Sequence, residues 1–433
     1  AGDDFTVRGG AADARIGNKF LYSLKMAEYL KLPLVNLVDG SGGGGSVKSL
    51  ESMGATYVPA NPGFEKIIKL LSIVPVVGAC MGSVAGLGSA RVVASHFSIM
   101  VKGSSQMFVA GPPVVERAFG KKMEKEELGG SDIHTKTAGV VDNEAVSEED
   151  ALDQIRKYLS FMPLNVWEVP PKKESSDTVD RRAEDLISII PKDRKSPYEV
   201  RNILEMVLDL DSFFEIGSGY GRSLVVGLGR LDGYSVGVLA NDCGHDGGAV
   251  TAKAAEKMTR FVDMCDTFNI PIVNFVDNPG FLIGLQAEES GVIRQGVRAL
   301  HSVFQAKIPW ISIILRRVFG VAGAGESHGP GVTTIVFGCP PGLWIDRNYV
   351  QSYLDRRRPG ANKLGTPRRE NDKVAFLSGL YCEDHDNLLS GPKLELSVDD
   401  VSLDTCAYEK GFTTGEPIAA IVLSFPSAKS FAD

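Results

Sequence analysis

Two stretches of small residues have the types and spacing to do chemistry through the backbone. One is "VAGLG" at 84–88, which contains Gly86, Leu87 and Gly88; the other is "FGVAGAG" at 319–325, which contains Gly320, Val321, Ala322, Gly323 and Ala324. Each follows an apolar run and precedes a predicted helix start. Such a turn aims backbone N–H groups at one point, where the helix dipole also favours negative charge. Two of them could hold the oxygen of an enolate or another oxyanion without any side-chain acid. A purely structural role, letting backbones cross closely, is the alternative for each turn taken alone. That two matching turns occur favours the chemical role.

Other patterns compete with this one. "GESHG" at 325–329 fits a nucleophile elbow with Ser327 as nucleophile. An elbow needs its serine directly at a strand end, whereas "FGVAGAG" intervenes here and the first turn has no matching serine. "GSGGGG" at 40–45 lacks the following Gly-Lys-Ser/Thr of a phosphate cradle and reads as a loop. His96, His134, His245, His301, His328 and His385 show no metal-ligand spacing, so no metal is assigned. Asp39 and Asp277 close equivalent strands and read as turn or helix-cap residues.

The elements that position the turns come from an internal duplication. "LPLVNLVD" at 32–39 recurs as "IPIVNFVD" at 270–277, 238 residues on. The same offset carries Gly9-Gly10 to Gly247-Gly248 and Lys19 to Lys257, and "VAGLG" recurs as "VAGAG" at 321–325 one residue short of it. Landmarks in one order at near-constant spacing mark a repeat. The repeat decides how the uncharged run "LLSIVPVVGACMGSVAGLGSA" (70–90) should be read. It is long enough to cross a bilayer, yet position 79 within it aligns with Arg316, which Arg317 follows. With Pro75 and its glycines, the run is predicted to be a buried strand at 75–80, a turn, and a helix opening near Gly88.

Each copy then parses alike. A Gly-Gly turn leads into a helix (Ile16, Phe20, Leu24, Ala27; Ala255, Met258, Phe261, Cys265), then a strand (Leu34–Val38; Ile272–Val276), another helix, and a second strand with its turn (Val76–Gly88; Ile311–Gly325). This alternation predicts an α/β fold. Polar, proline-bearing segments at 169–185 and 191–197 predict a linker over 167–197, between domains at 1–166 and 198–433. A helix and two alternating strands at 198–239 precede the second repeat, so the first domain is expected to lack about forty residues ahead of Ala1.

The bulk numbers are an ordinary soluble composition. The 433 residues are 43% hydrophobic and 23% charged, with a net charge of −8 that argues against a nucleic-acid binder. Six cysteines without a CxxC pair point to reduced thiols. "AGDDFTVRGG" has neither the basic nor the apolar region of a signal peptide.

Several longer stretches resemble the carboxyltransferase (beta) subunits of biotin-dependent acyl-CoA carboxylases, the propionyl-, acetyl- and methylcrotonyl-CoA group. "EELGGSDIHTKTAGV" (126–140) is very similar to the family's "EELGGADVHTSKSGV", and "AEKMTRFVDMCDTFNIPIVNFVDNPGFLIG" (255–284) follows its "FVD.PGFLPG" block. "HFSIMVKGSSQMFVAGPPVV" (96–115), "GVIRQGVRAL" (291–300) and "RRVFGVAG" (316–323) also match. The resemblance covers roughly 1–345 and fades near Pro341; from 346 to 400 neither periodicity nor a match is visible.

The resemblance implies tandem crotonase-like domains, with acyl-CoA mainly on the first and carboxybiotin on the second. It implies transfer of a carboxyl group to the α-carbon, or a vinylogous γ-carbon, of an acyl-CoA thioester through an enolate. By position, the amides of Gly86 and Leu87 would hold the thioester oxygen, and those of Val321 and Ala322 the biotin ureido oxygen. Gly9, Gly10, Gly88, Gly247, Gly248, Phe281, Gly320, Gly323 and Ala324 are expected to line substrate and cofactor. No biotin-attachment "AMKM" occurs, so biotin would arrive on a separate chain, from a biotin carboxylase and carboxyl carrier partner. A homo-hexamer in the cytoplasm or mitochondrial matrix is also implied. Leu87 and Val321 stand where the family usually has glycine, and "GACMGSVAGLG" has four more residues than the family's "GPCAGG". A biotin-dependent decarboxylase component and an inactive scaffold subunit are the alternative readings.

Overall fold

The computed structural model describes all residues except 11–16, 41–50, 52–53, 55–62, 176, 179–180, 194, 319–330, 337–338, 356–372, 384–389, 392, 399–400, 417 and 424–433. The chain divides into two compact units. The first comprises Ala1–Ala306 and Ser312–Arg317, and the second Lys307–Ile311 and Val318–Asp433.

In the first unit, the N-terminal repeat opens with helix α1 (Gly17–Leu30), which buries Leu24 and Ala27 as its apolar spacing predicts; the expected Ile16 lies outside the described residues. These side chains pack with Leu34 of β1 (Leu34–Val38), with Ile67 and Leu70 of α2 (Phe64–Leu70), and with Val76 of β2 (Val76–Cys80). Strand β2 is buried along its whole length. A short strand β3 (Ser83–Ala85), helix α3 (Leu87–Val93), and strands β4 (Phe97–Val101) and β5 (Gln106–Phe108) follow. Strand β6 (Asn143–Ala145) and helix α4 (Glu148–Phe161) close the repeat, and the Ser147 hydroxyl caps α4 by accepting from the Asp150 N–H. The main sheet runs β1-β2-β4-β6, all parallel, while β3 and β5 form a separate parallel pair. The 70–90 run therefore ends α2, forms β2 and β3, turns, and starts α3. Among the described residues no helix is long and apolar enough to cross a membrane.

The second repeat starts at α5 (Val200–Val207), followed by β7 (Phe214–Ile216), β8 (Leu224–Leu231) and β9 (Tyr234–Asn241). Helix α6 (Ala252–Thr267), β10 (Ile272–Asn278), α7 (Val292–Gln305) and β11 (Trp310–Val318) complete it. Its sheet runs β11-β10-β9-β8-β7, with β10 parallel to β9 and β8 antiparallel to both neighbours. The three-residue strands β3, β5, β6 and β7 are too short to show periodicity, so sequence did not separate them.

The duplication is geometric as well as sequential. Gly2 makes a parallel bridge to Leu37, and 238 residues on Ala240 pairs in parallel with Phe275. Gly9 and Gly10 have φ 64° and 67°; Gly247 and Gly248 have 63° and 82°. A Cβ at Gly10 would stand 2.0 Å from the Asp39 carbonyl oxygen, and one at Gly248 2.8 Å from that of Asp277. The same tight crossing of a turn over a strand end is built twice.

The second unit is antiparallel throughout its sheets. Strands β12 (Gly331–Val336), β14 (Lys373–Phe376) and β19 (Ile418–Leu423) form one sheet in the order β12-β19-β14. Strands β13 (Trp344–Asp346), β15 (Leu380–Tyr381) and β18 (Lys410–Thr413) form another in the order β13-β18-β15. A ribbon pairs β16 (Lys393–Val398) with β17 (Val401–Cys406). Helix α8 (Arg347–Asp355) accompanies them, and Val374, Phe376, Leu380, Ile418 and Ala420 make a core of their own. The βα alternation expected over 198–433 thus stops at β11.

Candidate active site

The first turn is built on Gly86, whose φ of 58° and ψ of −117° are open to glycine and strained for other residues. It sits exposed directly ahead of α3. Its own N–H is not available to a ligand, because it donates to the Phe108 carbonyl at 3.0 Å. That is a correction to the expected donor pair. The Gly86 carbonyl accepts from Ala90, which leaves the N–H groups of Leu87 and Gly88 at the open first turn of α3. Neither has an acceptor among the described residues. The Ser89 hydroxyl donates to the Phe108 carbonyl at 2.7 Å and holds the turn against β5. At Gly78 a Cβ would meet the Val92 carbonyl at 2.1 Å, so only glycine lets α3 lie this close to the sheet.

The strand-end acids differ between the copies. Asp277 is fully buried at the end of β10 and is not a cap. Its carboxylate accepts from Arg317 Nε at 2.7 Å, from Arg316 Nη2 at 2.9 Å and from the Tyr198 hydroxyl at 3.1 Å. Arg316 also donates to the Ser196 carbonyl, and Arg317 to that of Gly247. Burial pushes the Asp277 carboxyl up, but the hydrogen bonds and charges of Arg317 and Arg316 outweigh it and hold it below its usual range. The turn-or-cap expectation for Asp277 is thereby corrected. The signal was present in sequence: two adjacent arginines end the strand beside the one that ends in Asp277.

Among the described residues Asp39 has no such partners, and Ala79 and Cys80 occupy the places of Arg316 and Arg317. Its carboxyl lies where a Cβ on Gly82 would stand, 2.0 Å away, so Gly82 must be glycine. Burial, then the charges of Asp3, Glu148 and Asp4, raise its pKa.

The other expected residues divide cleanly. Gly247 has open space where a Cβ would be, and Phe281 is 36% exposed with its ring over Gly296. Gly320, Val321, Ala322, Gly323, Ala324 and Ser327 lie outside the described residues, as does most of the 40–45 loop. None of the six cysteines is in a disulfide.

A family model for the carboxyl transferase domain matches residues 1–326. The chain belongs to the carboxyl transferase family. Among its relatives is the propionyl-CoA carboxylase carboxyltransferase subunit of Haloferax mediterranei, 37% identical over 321 residues, covering 74% of this chain and 61% of the relative. The methylmalonyl-CoA decarboxylase subunit alpha of Veillonella parvula is 33% identical over 321 residues, covering 73% of this chain and 61% of the relative. Among solved structures, transcarboxylase 12S with methylmalonyl-CoA and methylmalonic acid bound aligns with a TM-score of 0.67 at 33% identity, covering 72% of this chain and 59% of that one. The crotonase-like α/β fold of the carboxyl transferases is therefore that of the matched region. This carboxyl transferase chain spans about three fifths of the length of the relatives it matches. The match ends at 326 rather than 345, and a different family model, chorismate synthase, matches residues 319–410. The tail without periodicity is similar to that second family.

Proposed function

We propose that the chain works as the carboxyltransferase component of a biotin-dependent acyl-CoA carboxylase. The observation that carries this reading is the unbroken family match over both repeats, which includes the glycine turn at the start of α3. In this reading the first repeat, within 1–166, takes the acyl-CoA, and the second, from 198, takes the biotin side. Leu87 and Gly88 donate to the thioester oxygen as negative charge develops there, and Gly86 supplies the backbone angle that aims them. Preorganised donors of this kind stabilise charge without reorganising during reaction. Val321 and Ala322 are the proposed donors on the biotin side.

Biotin, when bound, supplies the carboxyl group. The described part of its proposed site fits a flat, neutral ring: the backbone at Gly247 is open, and Phe281 offers a partly exposed aromatic edge. Biotin reaches the site on a partner chain, from a biotin carboxylase and carboxyl carrier. The relatives named for propionyl-CoA carboxylase and methylmalonyl-CoA decarboxylase suggest a short-chain acyl-CoA. The hexamer named for transcarboxylase 12S suggests a symmetric homo-oligomer. Free thiols fit the cytoplasm or mitochondrial matrix.

The test is transfer of labelled carboxylate from a carboxylated biotin carrier to a panel of acyl-CoA thioesters. Acid-stable label on propionyl-CoA is the expected result. Loss of CO2 from methylmalonyl-CoA in the presence of free biotin carrier, without forward transfer, favours the decarboxylase reading. Acyl-CoA binding with no transfer in either direction favours an inactive scaffold.

A further inference from the structure

A cavity of about 250 Å³ lies inside the first unit, where the loop ahead of β6 meets β7 and α6. Neither the Gly86 turn nor the Asp277 cluster lines it. Val141, Val226, Phe261 and Met264 give it apolar walls, each almost completely buried. Four charged side chains line it as well: Asp142, Glu256, Lys257 and Arg260. Three of them are hydrogen-bonded to other side chains, although Glu256 has no cation partner among the described residues. Arg260 Nη2 donates to Asp142 at 2.9 Å, and the same carboxylate accepts from the N–H and hydroxyl of Ser98. Glu256 accepts from the Tyr220 hydroxyl at 2.7 Å.

Lys257 is the exception. Its ammonium donates to the Gly217 carbonyl at 3.1 Å, and no carboxylate lies within ion-pair distance of it among the described residues. An ammonium has three donors, so two have no protein acceptor here. Lys257 is half-buried, so an anion entering the cavity takes up these two donors in place of water. With a single uncommitted cation, the site suits a monoanion; a dianion would need Arg260, which Asp142 already holds. The apolar walls beside the cation suit an alkyl group. At about 250 Å³ the cavity is below the range of about 300–1,000 Å³ usual for drug-sized ligands, so the chain must be short.

We propose that this cavity binds a short-chain carboxylate, with its carboxylate on Lys257 and its alkyl chain against Val226, Phe261 and Met264. Val141 belongs to the first repeat and the other walls to the second, so an occupant ties the two repeats together. The inference does not rest on the proposed transfer activity.

Burial pulls the Lys257 ammonium down to about 8, with Glu215, Asp242 and Asp142 opposing and Arg201 assisting. His96 also faces the cavity, but burial lowers it to about 4, so it is neutral across this range. The anion should therefore bind more weakly as pH rises through 8.

Calorimetric titration of the full chain with sodium butyrate, at constant ionic strength, tests the proposal. One butyrate per chain is expected, binding more weakly at pH 9 than at pH 7 and undisturbed by saturating propionyl-CoA. Butanamide, neutral and of the same shape, should not bind measurably. Lys257→Met should weaken butyrate at least tenfold, and Lys257→Arg should retain it. The proposal is overturned if the native protein shows no saturable butyrate binding, if butanamide binds as well, or if propionyl-CoA displaces butyrate. Equal binding by a folded Lys257→Met variant also overturns it.

Discussion

Arg317 Nε stands 2.7 Å from a carboxylate oxygen of Asp277 that solvent does not reach. Removing one partner of a buried ion pair leaves the other's charge uncompensated, which typically costs about 3–5 kcal/mol. Asp277→Asn strands two guanidinium groups, Arg316 and Arg317. Urea unfolding at neutral pH should show a loss of about that size in the first unit. A loss under about 1 kcal/mol, the scale of an exposed pair, would show that the cluster is solvated and dispensable.

The same carboxylate fixes a pH signature. Because its folded pKa lies below the unfolded value, its stabilisation is present above the usual carboxylate range, near 3.9, and is lost as pH falls through the folded pKa. The difference between native protein and Asp277→Asn should shrink as pH falls below about 4. A constant difference down to pH 2 would count against the pairing.

His96 sets a second, separate window. Its Nδ1 accepts from the Val76 N–H at 3.0 Å, so its Nε2–H donates to the Leu71 carbonyl at 2.9 Å and the ring is neutral. Burial lowers its pKa to about 4. Between there and the unfolded value near 6.5 the unfolded chain binds the extra proton, so stability falls as pH falls across that interval. His96→Gln should flatten the slope between pH 6.5 and 4, by at most about 1.4 kcal/mol per pH unit. An unchanged slope would remove His96 as its source.

The alternation of elements was legible in the sequence, because β2 is a continuous apolar run, β1 and the body of β10 are apolar apart from Asn36 and Asn274, and helices α1 and α6 show helical spacing. The repeat was legible because it preserves side chains at fixed offsets. The donor at Gly86 was not, since nothing in "VAGLG" reveals that its N–H is committed to Phe108. The Asp277 cluster left its signal in the adjacent Arg316 and Arg317, but joining them to Asp277 depends on β10 and β11 lying side by side. Arg316 and Arg317 served in sequence only to exclude a membrane span.

Adjacent glycines should respond very differently to the same methyl group. At Gly9 an added Cβ meets nothing within 4 Å, so Gly9→Ala should cost only the left-handed backbone penalty of about 1–2 kcal/mol. At Gly10 it meets a backbone carbonyl at 2.0 Å, which cannot yield as a flexible side chain would. Gly10→Ala should be several times more damaging in urea midpoint. Equal effects would show that the turn does not press on Asp39.

The oxyanion reading has a clean variant in Leu87→Pro. Proline fixes φ near −65° and is well tolerated at the first position of a helix, where the lost N–H has no intrahelical acceptor. At Gly86, with φ 58°, proline would break the turn itself. Leu87→Pro should fold with a near-native melting temperature and lose about a hundredfold or more in carboxyl transfer. A folded variant with normal turnover would make Gly86–Gly88 a structural turn.

The unlike strand ends also bear on how the two repeats can evolve. Ala79 and Cys80 beside Asp39 leave that acid free to vary by single replacements. Asp277 has no such freedom, because replacing it strands Arg316 and Arg317 at once, whereas loss of either arginine leaves the other on the carboxylate. Asp277 should therefore change across related lineages only where both arginines change with it, while Asp39 drifts alone. Two halves that began as equal copies should therefore accept mutation at different rates, and a segment exchanged between them would bring a charge without its counterpart.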